Sequence, residues 1–301
     1  MGMLSRRQVL KGMALGVTAG ALRTVPVRAA APASALHAQC ARIESQTGGR
    51  LGVAMLDTHN RIAAGYHANQ RFPVCSTWKL LAVAALLRQV DEGHENLERR
   101  IRFSASELVV YSPVTKGHVD ATGMSLRELC DAALVWSDNT AGNLLLAALG
   151  GPSAITRFAR AIGDPVTRLD RTEPTLNEAT PGDARDTTSP RAMLGDLDTL
   201  LLGNALTPPS RARLNAWLAA SRTGARLLRA GFPANWRVGD KSGAGEHATR
   251  NDVAIATPPR RAPILVAAYL TGATVPMPQR DAALAAVARA IHQALAGAGV
   301  A

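Results

Sequence analysis

The chain has 301 residues, 47% of them apolar and only 4% aromatic, with a formal net charge of +11. That apolar content excludes a mainly disordered chain, and the length suits one large domain or two smaller ones. The charge is scattered arginine rather than a basic block interleaved with aromatics, which argues against a nucleic-acid-binding face.

The first thirty residues do not read as fold. Ser5 to Lys11 is a charged segment with the pair Arg6-Arg7, Gly12 to Leu22 is apolar but short for a bilayer, and Ala29-Ala30-Ala31 offers a small-residue cleavage site. Residues 1–31 are therefore expected to be an export signal of the twin-arginine type. Its removal would take away Arg6, Arg7, Lys11, Arg23 and Arg28 and no acid, lowering the net charge by five. The expectation is an exported protein, periplasmic or secreted and monomeric. Its precursor partners the twin-arginine machinery, and it has no stable membrane anchor.

Beyond that, Ala33 to Ser45 reads as a helix. Arg50–Leu56 and Arg61–His67 read as a hairpin turning through Asp57–Asn60. From Ser76 to Asp91, apolar residues recur at three- and four-residue steps, and Gly93 stops the helix. Ser125-Leu126-Arg127-Glu128 is a capping box opening a helix through Leu134. Asn139–Leu149 and a segment from Pro152 to Gly163 follow as helices. Residues 164–188 are a long irregular stretch, of the kind that is usually functional inside a compact domain. Ser189-Pro190 and Thr207-Pro208 each set a cap and a proline at a helix start. Trp236–Lys241, Asn251–Ala256 and Pro263–Thr271 read as strands, and Gln279–Leu295 as an amphipathic helix.

Strands at both ends with helices between predict an α+β fold. It would have a mainly antiparallel five-stranded sheet flanked by the terminal helices, plus an all-helical part. The sheet domain would be discontinuous (33–72 and 222–301). The all-α domain would span 73–221, including a loop at 168–188, with a site in the cleft between the two.

Three cysteines, Cys40, Cys75 and Cys130, leave at least one free thiol, and each reads as a small buried hydrophobe. The seven histidines form no metal-binding pattern, so neither a metal nor a cofactor is expected.

Only four of the 34 basic residues are lysines: Lys11, Lys79, Lys116 and Lys241. A lysine amine loses its proton when buried, whereas arginine stays charged. Lys79 stands three residues after Ser76, one helical turn away, so Ser76 is a candidate nucleophile with a candidate base beside it. At a helix N-terminus, backbone N–H groups can stabilise an oxyanion. Ser137-Asp138-Asn139 precedes a helix. Ser137 can relay a proton, Asp138 can brace the turn, and Asn139 can hold a substrate carbonyl. Lys241-Ser242-Gly243 falls at a strand end, where Lys241 can attract an anion, Ser242 offers a hydroxyl and Gly243 leaves room for a ligand. Ala244 can add a second oxyanion N–H.

Taken in order, Ser-x-x-Lys, Ser-Asp-Asn and Lys-Ser-Gly resemble the set shared by penicillin-binding proteins and class A β-lactamases. Arg171-Thr172-Glu173-Pro174-Thr175-Leu176-Asn177 is similar to the Ω-loop of class A β-lactamases, and the resemblance covers the chain from about Ala35 onward. It implies a serine β-lactamase acting on penicillins and cephalosporins. Ser76 would be the nucleophile, with Lys79 or Glu173 as acylation base. Ser137, aided by Lys241, would donate a proton, and Glu173 would activate the deacylating water with Asn177. The resemblance also implies that Tyr111 lines the cleft mouth. Arg250 would assist the substrate carboxylate from the strand facing Lys241, and Arg171 and Asp186 would close the loop's neck. Glu173 is what separates this reading from a cell-wall peptidase or an acylation-only penicillin-binding protein, while a covalent antibiotic sensor would need a transmembrane segment and no stretch after residue 31 reads as one.

Three departures stand out. Thr172 replaces a bulky residue. Val83 leaves Cys130 without the bridge some relatives form, and Gly245 leaves Cys75 without the partner seen in carbapenemase-type members. With Ala244 in place of a hydroxyl residue, the expected substrates are penicillins and early cephalosporins.

Overall fold

The computed structural model describes residues 30–119 and 122–297. The expected export signal therefore lies outside the described residues, apart from Ala30 and Ala31. The elements in chain order are α1 (Ala30–Thr47), β1 (Arg50–Asp57), β2 (Ile62–Tyr66), β3 (Phe72–Pro73), a 3₁₀ turn (Cys75–Thr77) and α2 (Trp78–Asp91). Next come β4 (Arg100–Ile101), β5 (Met124–Ser125), α3 (Leu126–Val135), α4 (Asn139–Leu149), α5 (Pro152–Ala161), β6 (Thr187–Thr188), α6 (Pro190–Leu201) and α7 (Pro208–Ala219). The chain closes with α8 (Leu228–Gly231), β7 (Arg237–Gly245), β8 (Thr249–Thr257), β9 (Ile264–Thr271) and α9 (Met277–Gly297).

The five long strands form one antiparallel sheet in the order β2-β1-β9-β8-β7. Successive side chains on a strand point to opposite faces, and the central strand β9 uses both. Ile264, Val266, Ala268 and Leu270 join the cluster that holds Leu36 of α1 and Leu284 and Ile291 of α9. Leu265, Ala267 and Tyr269 join the cluster that holds Trp78 and Leu81 of α2 and Leu197 of α6. A strand covered on both sides reads as an unbroken apolar run, as β9 does. Helix α2 is buried without interruption from Trp78 to Leu87, as a helix enclosed on all sides must be.

Most of the local signals that set helix ends operate as sequence reasoning expects, but Thr207 makes no side-chain cap bond to α7 and donates its hydroxyl to Asp91 instead. Ser125 and Glu128 close a capping box on α3. Asp138 caps α4 by accepting from the Ala141 N–H at 2.9 Å, and Gly150 ends it at φ 91°.

Two local expectations are corrected. Ser76 is not in α2: it sits in the 3₁₀ turn before it, because Cys75 takes φ 42° and breaks the helical path. Strand β7 runs on to Gly245, so Lys241-Ser242-Gly243 lies within the strand rather than at its end. Arg250 lies, as expected, on β8, the strand that faces Lys241, where it pairs in register with Ala244. The two-residue pairings β3–β6 and β4–β5, and the short α8, carry too few residues to show a period.

Cys40, Cys75 and Cys130 are free and buried. Burial pushes the Cys40 thiol up to about 12 and raises Cys75 and Cys130 as well, so none is a thiolate nucleophile at neutral pH. Among the described residues, no helix is long and apolar enough to cross a membrane.

Candidate active site

A cleft of about 430 Å³ opens between edge strand β7, the turn before α2 and the segment before α4. Ser76, Ser137, Asn139, Asn177, Ser242, Gly243 and Ala244 line it, together with Tyr111 and Arg250. Lys79, Glu173 and Lys241 lie behind these groups, each almost fully buried.

Lys79 Nζ is the hub. It lies 3.1 Å from Ser76 Oγ, 2.9 Å from the Ser137 carbonyl oxygen, 2.6 Å from Asn139 Oδ1 and 3.1 Å from Glu173 Oε1. An ammonium has three protons for these four acceptors. Burial holds Lys79 below the ordinary lysine range, and the charge of Glu173 opposes that shift.

Glu173 is reached from far along the chain. Its Oε1 accepts from Trp78 Nε1 at 3.2 Å and from Ser76 Oγ at 3.4 Å, while Asn177 Nδ2 donates to Oε2. Asn143 grips its backbone from α4, with Oδ1 accepting from the Glu173 N–H and Nδ2 donating to its carbonyl, both at 2.9 Å. The bond before Pro174 is cis.

The neck of the loop is a knot of charge-assisted bonds. Asp186 Oδ1 accepts from the N–H groups of Asp170 and Arg171 at 2.7 and 3.0 Å, and Oδ2 takes Arg171 Nε at 2.6 Å. Arg171 also pairs with Glu178.

Lys241 Nζ donates to Ser137 Oγ at 2.9 Å and to the Ser242 carbonyl at 2.8 Å, joining the sheet to the helical side of the cleft. Burial, and then the nearby positive charge of Lys79, lower Lys241 to about 7. Ser242 Oγ donates to Thr223 Oγ1 at 2.7 Å. Arg250 Nε bonds Asp281 Oδ1 at 2.7 Å, and Arg226 reaches Asp281 Oδ2 at 3.2 Å. Asp138 stays behind the cleft, where its carboxylate accepts the N–H groups of Val114 and Thr115 at 2.9 Å each. Tyr111 is half exposed at the rim, and its carbonyl accepts the Asn139 N–H at 3.0 Å.

Every expected cleft residue thus converges, while Arg171, Asp186 and Asp138 brace it from outside. Sequence reasoning missed Trp78, Asn143, Thr223 and Asp281. Their partners lie 19 to 95 residues away, and no local pattern marks such contacts.

The arrangement supplies a nucleophilic hydroxyl, a buried amine, a buried carboxylate and a second hydroxyl held by a lysine, which suits acyl transfer. A family model for the β-lactamase enzyme family matches residues 35–295. β-Lactamase OXY-1 of Klebsiella oxytoca is 46% identical over 265 residues, covering 88% of this chain and 91% of that protein. β-Lactamase CTX-M-8 of Citrobacter amalonaticus is 47% identical, covering 87% and 89%. A solved structure of the class A β-lactamase of the last common ancestor of Gram-negative bacteria superposes with a TM-score of 0.86 at 58% identity, covering 87% of this chain and 99% of that one. The chain belongs to the β-lactamase enzyme family, and within it to class A.

Proposed function

We propose that this β-lactamase opens the lactam ring of penicillins and cephalosporins through an ester on Ser76. Ser76 Oγ attacks the lactam carbonyl, and the N–H groups of Ser76 and Ala244 receive the oxyanion. A neutral Lys79 can take the Ser76 proton. Its two N–H groups satisfy the carbonyl oxygens of Ser137 and Asn139, leaving its lone pair towards Ser76 Oγ at 3.1 Å. Glu173, acting through a water, is the competing acylation base. The C–N bond then breaks, and Ser137 passes its proton to the ring nitrogen while Lys241 steadies the hydroxyl. Lys241, Ser242 and Arg250 attract the substrate carboxylate, and Asn139 holds the side-chain carbonyl.

Deacylation needs a water made nucleophilic beside the ester. Glu173 takes a proton from it, Asn177 helps hold it, and Ser76 leaves with a proton restored. The observation that carries this reading is the Glu173 carboxylate within 3.4 Å of Ser76 Oγ and 3.1 Å of Lys79 Nζ. An acylation-only protein has no use for that group. Glu173→Gln should accumulate a covalent adduct, seen as a mass increase on intact protein after a penicillin is added. Ser76→Ala should show no adduct at all. Turnover by Glu173→Gln at the wild-type rate would refute the deacylation role.

The precursor is exported through the twin-arginine route to the periplasm or beyond, a reading supported by Arg6-Arg7 and the short apolar segment after them, and the mature protein acts as a monomer. Retention of an Arg6→Lys, Arg7→Lys precursor in the cytoplasm, with sedimentation of the mature protein as one chain, tests it. The strands at both ends of the chain and the helices between them support a division into a sheet domain (33–72, 222–301) and a helical domain (73–221), the two packed through a shared hydrophobic cluster. Limited proteolysis that cuts preferentially near residues 72 and 222 would support that division, and uniform cleavage would oppose it.

A further inference from the structure

Trp78 occupies the open third position of Ser76-Thr77-Trp78-Lys79, where the motif itself demands nothing. Its side chain is fully buried, and its Nε1–H donates to Glu173 Oε1 at 3.2 Å. Helix α4 makes room for this large ring. A Cβ added at Gly142 would stand 3.1 Å from both Cζ2 and Cη2 of the indole, closer than ordinary packing allows.

The other two neighbours of Oε1 are Ser76 Oγ at 3.4 Å and Lys79 Nζ at 3.1 Å. Both change chemically during turnover. Acylation turns the Ser76 hydroxyl into an ester oxygen with no proton to donate, and Lys79 is a candidate carrier of the proton that Ser76 loses. The indole N–H does neither, since its proton stays in place throughout the neutral range. Among the described residues it is the donor to Oε1 whose protonation is constant through the acyl-enzyme stage. With Oε1 held, Oε2 is left to Asn177 and the incoming water.

We infer that Trp78 is a positioning residue for deacylation, its N–H fixing Oε1 of Glu173 while Oε2 takes the proton from water. The inference rests on Glu173 being the deacylation base. Removing one hydrogen bond to a buried charged group should slow ester hydrolysis about 10- to 100-fold.

The test compares wild type, Trp78→Phe, the protein with benzothienylalanine at position 78 (sulfur in place of N–H, same shape), and Glu173→Gln. A penicillin is the substrate, with intact mass and steady-state rates as readouts. The inference expects both position-78 proteins to accumulate the ester. It also expects kcat to fall more than kcat/KM, so that KM drops. Should Trp78→Phe fail to fold, the benzothienyl protein alone carries the test. If that protein turns over like wild type, the ring acts by packing and the inference is overturned. If neither position-78 protein accumulates ester while Glu173→Gln does, the inference fails and the role of Glu173 stands. If Glu173→Gln itself does not accumulate ester, the underlying reading fails, and the inference with it.

Discussion

Asp186→Asn is the substitution that most directly asks whether the loop neck holds Glu173 in place. Asp186 is 1% exposed and sits at φ 53°, a conformation asparagine accepts better than alanine would, so the change removes charge with little backbone penalty. The carboxylate accepts two backbone N–H groups and the Arg171 guanidinium through its two oxygens. An amide has one acceptor oxygen, so its NH₂ must face either the backbone donors or Arg171, donor against donor. Breaking one side of a buried ion pair costs about 3–5 kcal/mol. Arg171 keeps Glu178 as a partner, which puts the loss at the lower end, about 3 kcal/mol. For a chain of this size that corresponds to a Tm lower by about 6–12 °C. The Asp186 carbonyl also accepts the Val74 N–H at 2.8 Å, two residues before Ser76, so a slackened neck reaches both the nucleophile and the base. Deacylation should slow, and the ester should become visible by mass. Scanning fluorimetry and single-turnover kinetics measure the two effects. A Tm within about 1 °C of wild type, together with an unchanged deacylation rate, would refute the reasoning.

Asn143→Ala removes both bonds to the Glu173 backbone, so kcat should fall about tenfold or more while Ser76 still acylates; equal turnover in burst experiments would count against the clamp. Lys241 loses its proton as pH rises through about 7 in the free enzyme, so kcat/KM for an anionic penicillin should decline above that pH. Lys241→Arg, which stays charged, should lose the decline, and a wild-type profile flat to about pH 9 would contradict it. The same shift bears on stability: the unfolded state binds more protons between about 7 and 10.5, so this group's contribution to stability rises with pH across that window. Gly245→Ala would bring a Cβ to 2.8 Å from both the Asn177 carbonyl oxygen and Cys75 Sγ, pushing the loop outward. It should cost about 1–3 kcal/mol, read as a lower denaturant midpoint, and an unshifted midpoint would show that the loop yields freely.

What the sequence could and could not reveal follows from the range of each interaction. Helix α3 was legible because Ser125 and Glu128 cap it within four residues. Strand β9 was legible because burial on both faces writes an apolar run into the chain. The cleft groups were legible one motif at a time, since Ser76 with Lys79 and Ser137 with Asn139 are near neighbours in sequence. Contacts that join motifs were not. The Trp78 N–H meets Glu173 across 95 residues, and Lys241 meets Ser137 across 104. Nothing local to either end records such a meeting. The misplaced helix start has the same origin. Apolar periodicity from Ser76 onward fits a helix, but Val74 takes its partner from Asp186 and Asn251 reaches back to the Pro73 carbonyl at 2.9 Å. Those distant bonds hold the chain entering Cys75 at positive φ, and the helix cannot begin until Trp78. The turn that presents Ser76 is thus built by residues more than a hundred positions away. A search for the nucleophile by local pattern finds the right serine while missing the conformation that exposes it.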